Sequence, residues 1–407
     1  MTVERRWWIA PLAIYLLTRV VAGVLMVLVT PHQTVMLEGI PGYHSVVPSQ
    51  QPPGYLDVVT TWDAQWYWDI TMNGYPASAE DSNGNPAQTA LAFFPLYPTL
   101  VKAMMALSGL GFRVVAPTTS VLIGAAAVLV VHRLVEQCVD RRRALICVSL
   151  LCTFASAPVM QAAYTESLAL LLVATALLLL HGRRYLLCLL PVVLLGLTRN
   201  IALALAPVVL LHWYWRIHEQ EDSPRYMGAP AVRVPHMRIG LLGLATLAAS
   251  AEWPVIVGFI TADPRAYLTT MKAWPGFTGS VLRSPWAVLV SQHAAVLILL
   301  LLGLVGVLIG LRLLPGRRSW GPELWGWGIA YPIYVFAASS ATLSFARYLL
   351  LAFPLGLLWV PDAESVQQKR RQAATVALLV MLGLVAQWFW VSRLLVFSGP
   401  SGGWGFP

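Results

Sequence analysis

Long apolar runs recur along the whole chain, and they restrict its possible folds more than any other feature. Residues 168–180 (LALLLVATALLLL) and 296–309 (VLILLLLGLVGVLI) are two examples. Of the 407 residues, 58% are hydrophobic and only 11% are charged, whereas an ordinary soluble domain carries about 25% charged residues. A larger soluble core does not explain the difference, because a single core stops growing near about 250–300 residues. The sequence therefore predicts an all-α polytopic membrane protein.

The distribution of basic residues predicts the orientation in the membrane. The net charge of +9 does not indicate nucleic-acid binding, because the basic residues lie in short loops between apolar runs. Such loops are typical of the cytoplasmic side. Arg5 and Arg6 precede the first run, whereas no Lys or Arg lies between Arg19 and Lys102. We therefore expect a cytoplasmic N-terminus and a long extracytoplasmic first loop at 31–113.

About twenty apolar residues are needed to cross a bilayer as a helix. Residues 91–110 are ambiguous, but a span there would invert every later basic loop. Pro95, Pro98 and Lys102 also favour a helix that lies on the outer surface. The chain is expected to be a single transmembrane domain, 1–407, with about eleven spans. They are predicted at 8–30, 114–132, 144–161, 165–181, 185–199, 201–215, 239–260, 286–311, 323–341, 347–360 and 373–396.

The cysteines and histidines predict neither a disulfide framework nor a metal site. All four cysteines fall on the inner side of the predicted topology, where disulfides are rare. His32 and His44 have no acid or cysteine at a metal-ligand spacing. We expect no metal and no cofactor.

Polar motifs collect at the outer ends of the predicted helices. Polar residues beside spans are costly, so their clustering indicates a functional site. The motifs are WDAQWYWDITMNGYP (62–76), LAFFPLYP (91–98), AYTESLALLL (163–172), LTRN (197–200), DPRAY (263–267) and SFARYLLLAFP (344–354).

Five of these motifs, taken in order from 62 to 354, resemble the PIG-V-like mannosyltransferases, a family of the GT-C class of membrane glycosyltransferases; DPRAY is not among them. The resemblance implies a GT-C-like helical bundle with interfacial helices in the first loop. It also implies inverting transfer of mannose from a polyprenyl-phosphate-mannose donor to a lipid or glycan acceptor on the extracytoplasmic face. The acid of the WD motif, Asp63, is then the general base.

The chemistry agrees with the residue types. Inverting transfer needs one carboxylate to take the proton of the acceptor hydroxyl. The leaving phosphate needs a nearby cation, not a second acid. Arg347 and Arg199 are the leading candidates for that cation, and Glu166 is a candidate for orienting the acceptor. The remaining predicted donor- or substrate-binding residues are Tyr348, Trp62, Gln65, Tyr67, Tyr97 and Arg265.

Each assignment has a structural alternative. Asp63 and Glu166 also suit helix N-termini, where acids act as caps. The arginines also suit snorkelling to lipid headgroups, and the aromatic residues suit an interfacial belt. Asp69 lies six residues after Asp63, which places it on another helix face, so we assign it a structural role. No role is assigned to Arg19, which lies within the first span.

Three other functions remain open on the sequence. One is transfer of a different sugar from a polyprenyl phosphate, another is a secondary transporter, and the third is a non-catalytic assembly subunit. Transporters usually contain internal repeats, and no repeat is visible here. With 24 arginines against 3 lysines, the composition favours a bacterial plasma membrane over the endoplasmic reticulum.

The predicted orientation can be tested by cysteine labelling in intact cells. Single cysteines at Ser82 and Ser401 should react with a membrane-impermeant thiol reagent, and one at Ser223 should not, because only the first two positions are predicted to face outward. Labelling at Ser223 together with protection at Ser82 would overturn the topology.

Overall fold

The computed structural model describes residues 6–34, 51–222, 234–274, 320–338, 344–360, 363 and 365–398. The regular structure of these residues is helical, and they contain no strand. The predicted span at 286–311 lies outside them.

Within the described residues there are fourteen α-helices, joined by short 3-10 segments and one π segment. The α-helices are α1 (Ile9–Val29), α2 (Tyr55–Val59), α3 (Asp63–Asn73), α4 (Leu96–Ser108), α5 (Phe112–Cys138), α6 (Arg141–Cys152), α7 (Glu166–His181), α8 (Tyr185–Gly196), α9 (Leu205–Asp222), α10 (His236–Thr261), α11 (Ala266–Lys272), α12 (Gly321–Ala338), α13 (Ser344–Tyr348) and α14 (Val366–Trp390). The 3-10 segments are Thr30–His32, Ala90–Ala92, Ala157–Gln161, Ala202–Ala204, Leu349–Leu351 and Phe353–Trp359, and the π segment is Val391–Leu395.

Four helical segments are long and apolar enough to cross a membrane: Ile9–His32, Phe112–Cys138, His236–Thr261 and Val366–Leu395. Apolar side chains such as Leu17 on the first of these and Phe259 on the third point away from the protein. A surface of this kind is stable in hydrocarbon but not in water. The membrane prediction is therefore confirmed, while the count of eleven spans stays a prediction.

The middle of the bundle is formed by α5, α7 and α8. Helix α7 carries apolar side chains on all its faces, and most of these side chains are buried. This pattern is expected of a helix that other helices enclose. It packs against both α5 and α8. Helix α8 also approaches α10 closely, because Gly196 faces the backbone carbonyl of Ala249 and leaves no space for a side chain.

Two predicted spans are interrupted. The helix expected at 144–161 ends as α6 at Cys152, and the chain continues into the 3-10 segment Ala157–Gln161. In place of one helix at 347–360, the structure has α13 and two 3-10 segments. These predictions of continuous helices were wrong, because hydropathy reports burial and carries no information on backbone hydrogen bonding.

Arg19 provides the physical reason for the first interruption. Its guanidinium is buried and donates to the carbonyls of Ala157, at 2.5 Å, and Cys152, at 3.2 Å. The side chain of Gln387 on α14 also donates to Cys152 and to Phe154, at 3.1 Å each. The Cys152 carbonyl at the end of α6 is therefore paired by side chains inside the bundle, as a membrane interior requires.

The helix predicted on the outer surface at 91–110 is observed as α4, which has 13 residues. This is too short for a membrane span. Tyr97 joins it to α5, since the Tyr97 hydroxyl lies 2.8 Å from the Ala116 carbonyl and 2.9 Å from the Ser120 hydroxyl. Its depth in the membrane stays a prediction.

Arg19→Leu is expected to lower stability, because the Ala157 and Cys152 carbonyls would lose the hydrogen bonds from the buried guanidinium. A hydrogen bond to a charged group contributes about 1.5–3 kcal/mol, so the thermal midpoint in detergent should fall by several degrees. Arg19→Lys should lie between Arg19→Leu and the wild type. Arg141→Ala, at an exposed position, is the control and should leave the midpoint unchanged. Equal midpoints for Arg19→Leu and wild type would contradict this role.

Candidate active site

Four charged side chains from distant parts of the chain meet at one point, which we call the ionic cluster: Asp63, Glu166, Arg199 and Arg347. Asp63 is the first residue of α3, and Glu166 is the first residue of α7. Arg199 lies in the turn after α8, and Arg347 lies in α13. All four were predicted as site residues, and the structure brings them together.

The contacts within the ionic cluster form a chain with Arg347 between the two acids. Arg347 NH2 lies 2.7 Å from Asp63 Oδ2, and its Nε lies 3.0 Å from Glu166 Oε1. The same Glu166 oxygen accepts from Arg199 NH1 at 2.6 Å. Two acids therefore balance two cations.

Exposure separates the two carboxylates. The Asp63 side chain is 27% exposed, whereas Glu166 is 1% exposed and Arg347 only 4%. Of the two carboxylates, only Asp63 is open to a ligand from outside the protein. Glu166 is in position to hold the two arginines, and the snorkelling alternative does not fit the buried side chain of Arg347.

Tyrosine rings enclose the two guanidinium groups. Tyr348 lies against both, with ring-centre distances of 4.5 Å to Arg199 and 5.3 Å to Arg347. Tyr164 lies 5.0 Å from Arg347 on another side. Aromatic faces attract cations, most strongly where water is excluded. They also fix the planes of the guanidinium groups.

Three buried atoms of the ionic cluster have no hydrogen-bond partner among the described residues. They are Nε and NH1 of Arg347 and Oε2 of Glu166, although Nε keeps its ion-pair contact with Glu166. Buried polar atoms in proteins are nearly always paired, so unpaired ones call for an explanation. A bound anion would supply the missing acceptor for the Arg347 NH1 group.

The backbone immediately before Asp63 is strained. Trp62 has a φ of 56° and a ψ of −119°, a conformation that is unfavourable for a bulky residue. The Trp62 indole donates to the Leu395 carbonyl at 2.8 Å, and its ring meets Phe397 edge-on at 5.4 Å. Leu395 and Phe397 therefore fix the position of the Trp62 side chain. Because Asp63 follows Trp62 directly, these contacts also help to position Asp63.

Tyr67 and Gln65 lie on α3, the helix that begins at Asp63, and both side chains are buried. The Tyr67 hydroxyl lies 3.4 Å from the Thr165 hydroxyl, which in turn lies 3.5 Å from Arg199 NH1. Burial, and next the charge of Asp63, raise the pKa of Tyr67 well above its usual value, so it remains a neutral donor. The Gln65 amide donates to the Thr60 carbonyl at 3.2 Å.

The other two predicted residues lie outside the ionic cluster. The Tyr97 hydroxyl contacts the backbone of α5, as described above. Arg265 is exposed at the start of α11. The roles of both in substrate binding stay predictions.

An aromatic cluster formed by Trp66, Phe93 and Trp274 packs beside Tyr67. The Trp66 ring stacks on Phe93 at 5.5 Å, and Trp274 meets Trp66 edge-on at the same distance. Trp66 is buried, which is not expected of a belt that lies in the membrane interface. Trp274 lies in none of the polar motifs, so its place in this cluster could not be predicted from the sequence.

Tyr331 on α12 was also missed. Its hydroxyl donates to the Tyr348 carbonyl at 2.8 Å, so it fixes the short helix that carries Arg347. A tyrosine within an apolar span was the only available signal, and it does not identify a partner.

Comparison with solved structures gives the fold. The structure is similar to that of the oligosaccharyltransferase of Archaeoglobus fulgidus in the apo form, with a TM-score of 0.50 and 13% identity over 98% of this chain and 57% of that chain. A second structure, archaeal oligosaccharyltransferase AglB from the same organism in complex with an inhibitory peptide and a dolichol-phosphate, gives a TM-score of 0.49 and 13% identity over 96% and 56%. The chain spans little more than half the length of these proteins.

The helical architecture of this chain is therefore similar to that of the apo archaeal oligosaccharyltransferase, which is a GT-C membrane glycosyltransferase. No protein-family model and no curated protein sequence matches the chain. The closer resemblance to PIG-V-like mannosyltransferases stays a prediction.

Proposed function

We propose that the chain is a membrane glycosyltransferase that transfers a sugar from a polyprenyl-phosphate donor to a lipid or glycan acceptor on the extracytoplasmic face. The observation that carries the proposal is the partly exposed carboxylate of Asp63, 2.7 Å from the buried guanidinium of Arg347. A proton acceptor and a phosphate-binding cation thus lie side by side. The sequence motifs favour mannose as the sugar, with no cofactor required.

In the proposed reaction, the acceptor hydroxyl attacks the anomeric carbon while Asp63 takes its proton. The bond between that carbon and the phosphate oxygen breaks, and the phosphate leaves with the electron pair. Attack opposite the leaving group inverts the anomeric configuration. The leaving group is already a stable anion, so no acid is needed to protonate it.

Arg347 is the proposed partner of the phosphate. Its NH1 group is buried and has no hydrogen-bond partner among the described residues, and a phosphate oxygen would accept that hydrogen bond. Charge-assisted hydrogen bonds of this type are about twice as strong as neutral ones. Arg199 is placed to add a second cation, and Glu166 keeps both arginines in position.

A secondary transporter is the alternative function that one observation favours. The helix breaks at Ala157–Gln161 and at Phe353–Trp359 resemble the interrupted helices found at transporter binding sites. Transport moves the lipid-linked sugar without breaking its bond to phosphate. Measuring sugar transfer from the donor therefore decides between the two.

Asp63→Asn should abolish most transfer, because the amide cannot accept the proton of the acceptor. A general base typically contributes about 10²–10⁴-fold, and a loss in this range is expected in membranes supplied with labelled polyprenyl-phosphate-mannose. The affinity for the donor and the thermal midpoint should stay at their wild-type values. Asp63→Glu keeps the charge but should retain little activity, because it displaces the carboxylate.

Asp69→Asn is the matched control for this experiment. It makes the same substitution six residues further along α3, where the carboxylate accepts from Asn73 at 2.7 Å. It should keep substantial activity. A stable Asp63→Asn protein with wild-type transfer would remove Asp63 from the mechanism and leave Glu166 as the candidate base.

Arg347→Ala should raise the apparent KM for the donor and lower kcat, because the departing phosphate loses its cation. Arg347→Lys should recover only part of both, since an ammonium group cannot reproduce the guanidinium fork. Arg113→Ala is the control, because Arg113 also pairs with a buried acid, Asp57, at 2.6 Å. It should affect stability but not the donor KM. Wild-type kinetics in both Arg347 variants would transfer the phosphate role to Arg199.

A further inference from the structure

A second polar cluster lies at the end of α7 away from the ionic cluster. Its members are Cys138, the last residue of α5, His181, the last residue of α7, and Glu323 in the first turn of α12. Helix α7 rises about 1.5 Å per residue, so His181 lies roughly 22 Å from Glu166. The proposed transfer reaction uses none of these three side chains.

The three side chains have the chemistry of a transition-metal site. A thiol, an imidazole and a carboxylate are the three ligand types that zinc uses in proteins. One ligand atom from each lies within 4.8 Å of the others. Cys138 Sγ is 3.7 Å from His181 Nδ1, which is 3.1 Å from Glu323 Oε2. Tetrahedral zinc with ordinary bond lengths places such ligand atoms about 3.3–3.6 Å apart.

Gly321 leaves the position next to these atoms without a side chain. Gly321 has a φ of +68°, and a Cβ built on it would lie 3.0 Å from Glu323 Oε2 and 3.8 Å from His181 Nδ1. Any other residue would both strain the backbone and fill the space next to the ligand atoms. The His181 side chain is 30% exposed, while Glu323 is 2% exposed. His181 therefore gives a metal ion access to the cluster from outside the protein.

The surroundings orient the carboxylate as a metal site requires. His212 Nδ1 lies 2.5 Å from Glu323 Oε1, the oxygen that does not face His181. The other ring nitrogen of His212 lies 3.1 Å from the Tyr185 hydroxyl. Because an ionised carboxylate only accepts, His212 donates from Nδ1 to Glu323. Such outer hydrogen bonds commonly fix the ligands of a metal.

Electrostatics also favour a cation at this point. Helices α5 and α7 both end here, and the C-terminal ends of helices carry partial negative charge. A thiolate and a carboxylate would neutralise the charge of a divalent ion, so the complete site adds no net charge to the bundle. We propose that Cys138, His181 and Glu323 bind one zinc ion, which joins α5, α7 and α12 and is positioned by His212.

This site could not be predicted from the sequence, because its ligands are separated by 43 and 142 residues. Short metal-binding motifs place ligands a few residues apart on one element. Here each ligand lies at the end of a different helix, and only the packing of those helices brings them together.

Cobalt substitution tests the proposal on the full-length protein in detergent. After removal of metal with a chelator, the wild type should bind one equivalent of Co²⁺ with a thiolate-to-cobalt absorption band, and Zn²⁺ should abolish the band. Cys138→Ser should lose the band. Cys188→Ser is the control, because Cys188 is also buried but donates to the Ala176 carbonyl at 3.3 Å, and it should keep the band.

The outer hydrogen bond supplies a graded result. His212→Ala should weaken Zn²⁺ binding about 10–100-fold while the cobalt band remains, since the loss of an outer hydrogen bond has this typical effect. Folded, monodisperse wild-type protein that binds neither Co²⁺ nor Zn²⁺ would overturn the proposal, as would a cobalt band that persists in Cys138→Ser.

A labelling experiment on the wild type covers the case in which Cys138→Ser does not fold. Zinc-loaded protein should resist alkylation at Cys138, and the chelator should expose that thiol to the reagent, as mapped by mass spectrometry. Equal alkylation with and without zinc would mean that the cluster is a metal-free hydrogen-bonded group, and the proposal would be wrong.

Discussion

The pairing of Arg347 with two acids is the interaction on which the candidate site depends. A single guanidinium, 4% exposed, contacts Asp63 on α3 and Glu166 on α7 while it belongs to α13. An unpaired charge at such a place costs several kcal/mol. The three helices must therefore meet with their charged residues in register, and the rings of Tyr164 and Tyr348 lie against the guanidinium of Arg347 in that arrangement. The position of the Asp63 carboxylate is set by its contact with Arg347 and by the hydrogen bond that fixes the neighbouring Trp62.

The membership of the site could be predicted from the sequence, but its connections could not. Glu166, Arg199 and Arg347 each interrupt or border an apolar run, which marks them as costly and therefore as functional candidates. Asp63 lies in the predicted outer loop and was assigned through the resemblance of its WD motif. No acid lies close in sequence to either arginine. The partner of Arg199 is 33 residues away, and Asp63 and Arg347 are separated by most of the chain. Periodicity and charge describe one helix at a time, so they do not predict which residues of different helices come into contact.

The fold, too, could be predicted only in part. Hydropathy correctly predicts the long helices α1, α5 and α10, because a segment in lipid must be both apolar and helical. It failed at 144–161 and 347–360, where the chain is apolar but enclosed by other helices. Inside the bundle, side chains such as Arg19 and Gln387 satisfy carbonyls that lipid could not. An irregular backbone is possible at these places, and an apolar sequence gives no warning of it. Arg19, which had no role from the sequence, is thus explained by a break in another helix.

The charges of the ionic cluster explain why the proposed reaction needs no movement of Arg347. Two guanidinium groups and two carboxylates balance before the donor arrives. In the proposed transfer, Asp63 gains a proton and loses its negative charge while the departing phosphate gains one. The negative charge thus passes from one side of Arg347 to the other, from the acid at NH2 to the ligand proposed at NH1. A cation fixed between both positions stabilises the charge at the start and at the end of the step. Such a preorganised cation is effective because it requires no rearrangement as the reaction proceeds. The buried Glu166, held by Arg199 as well, keeps Arg347 in place throughout.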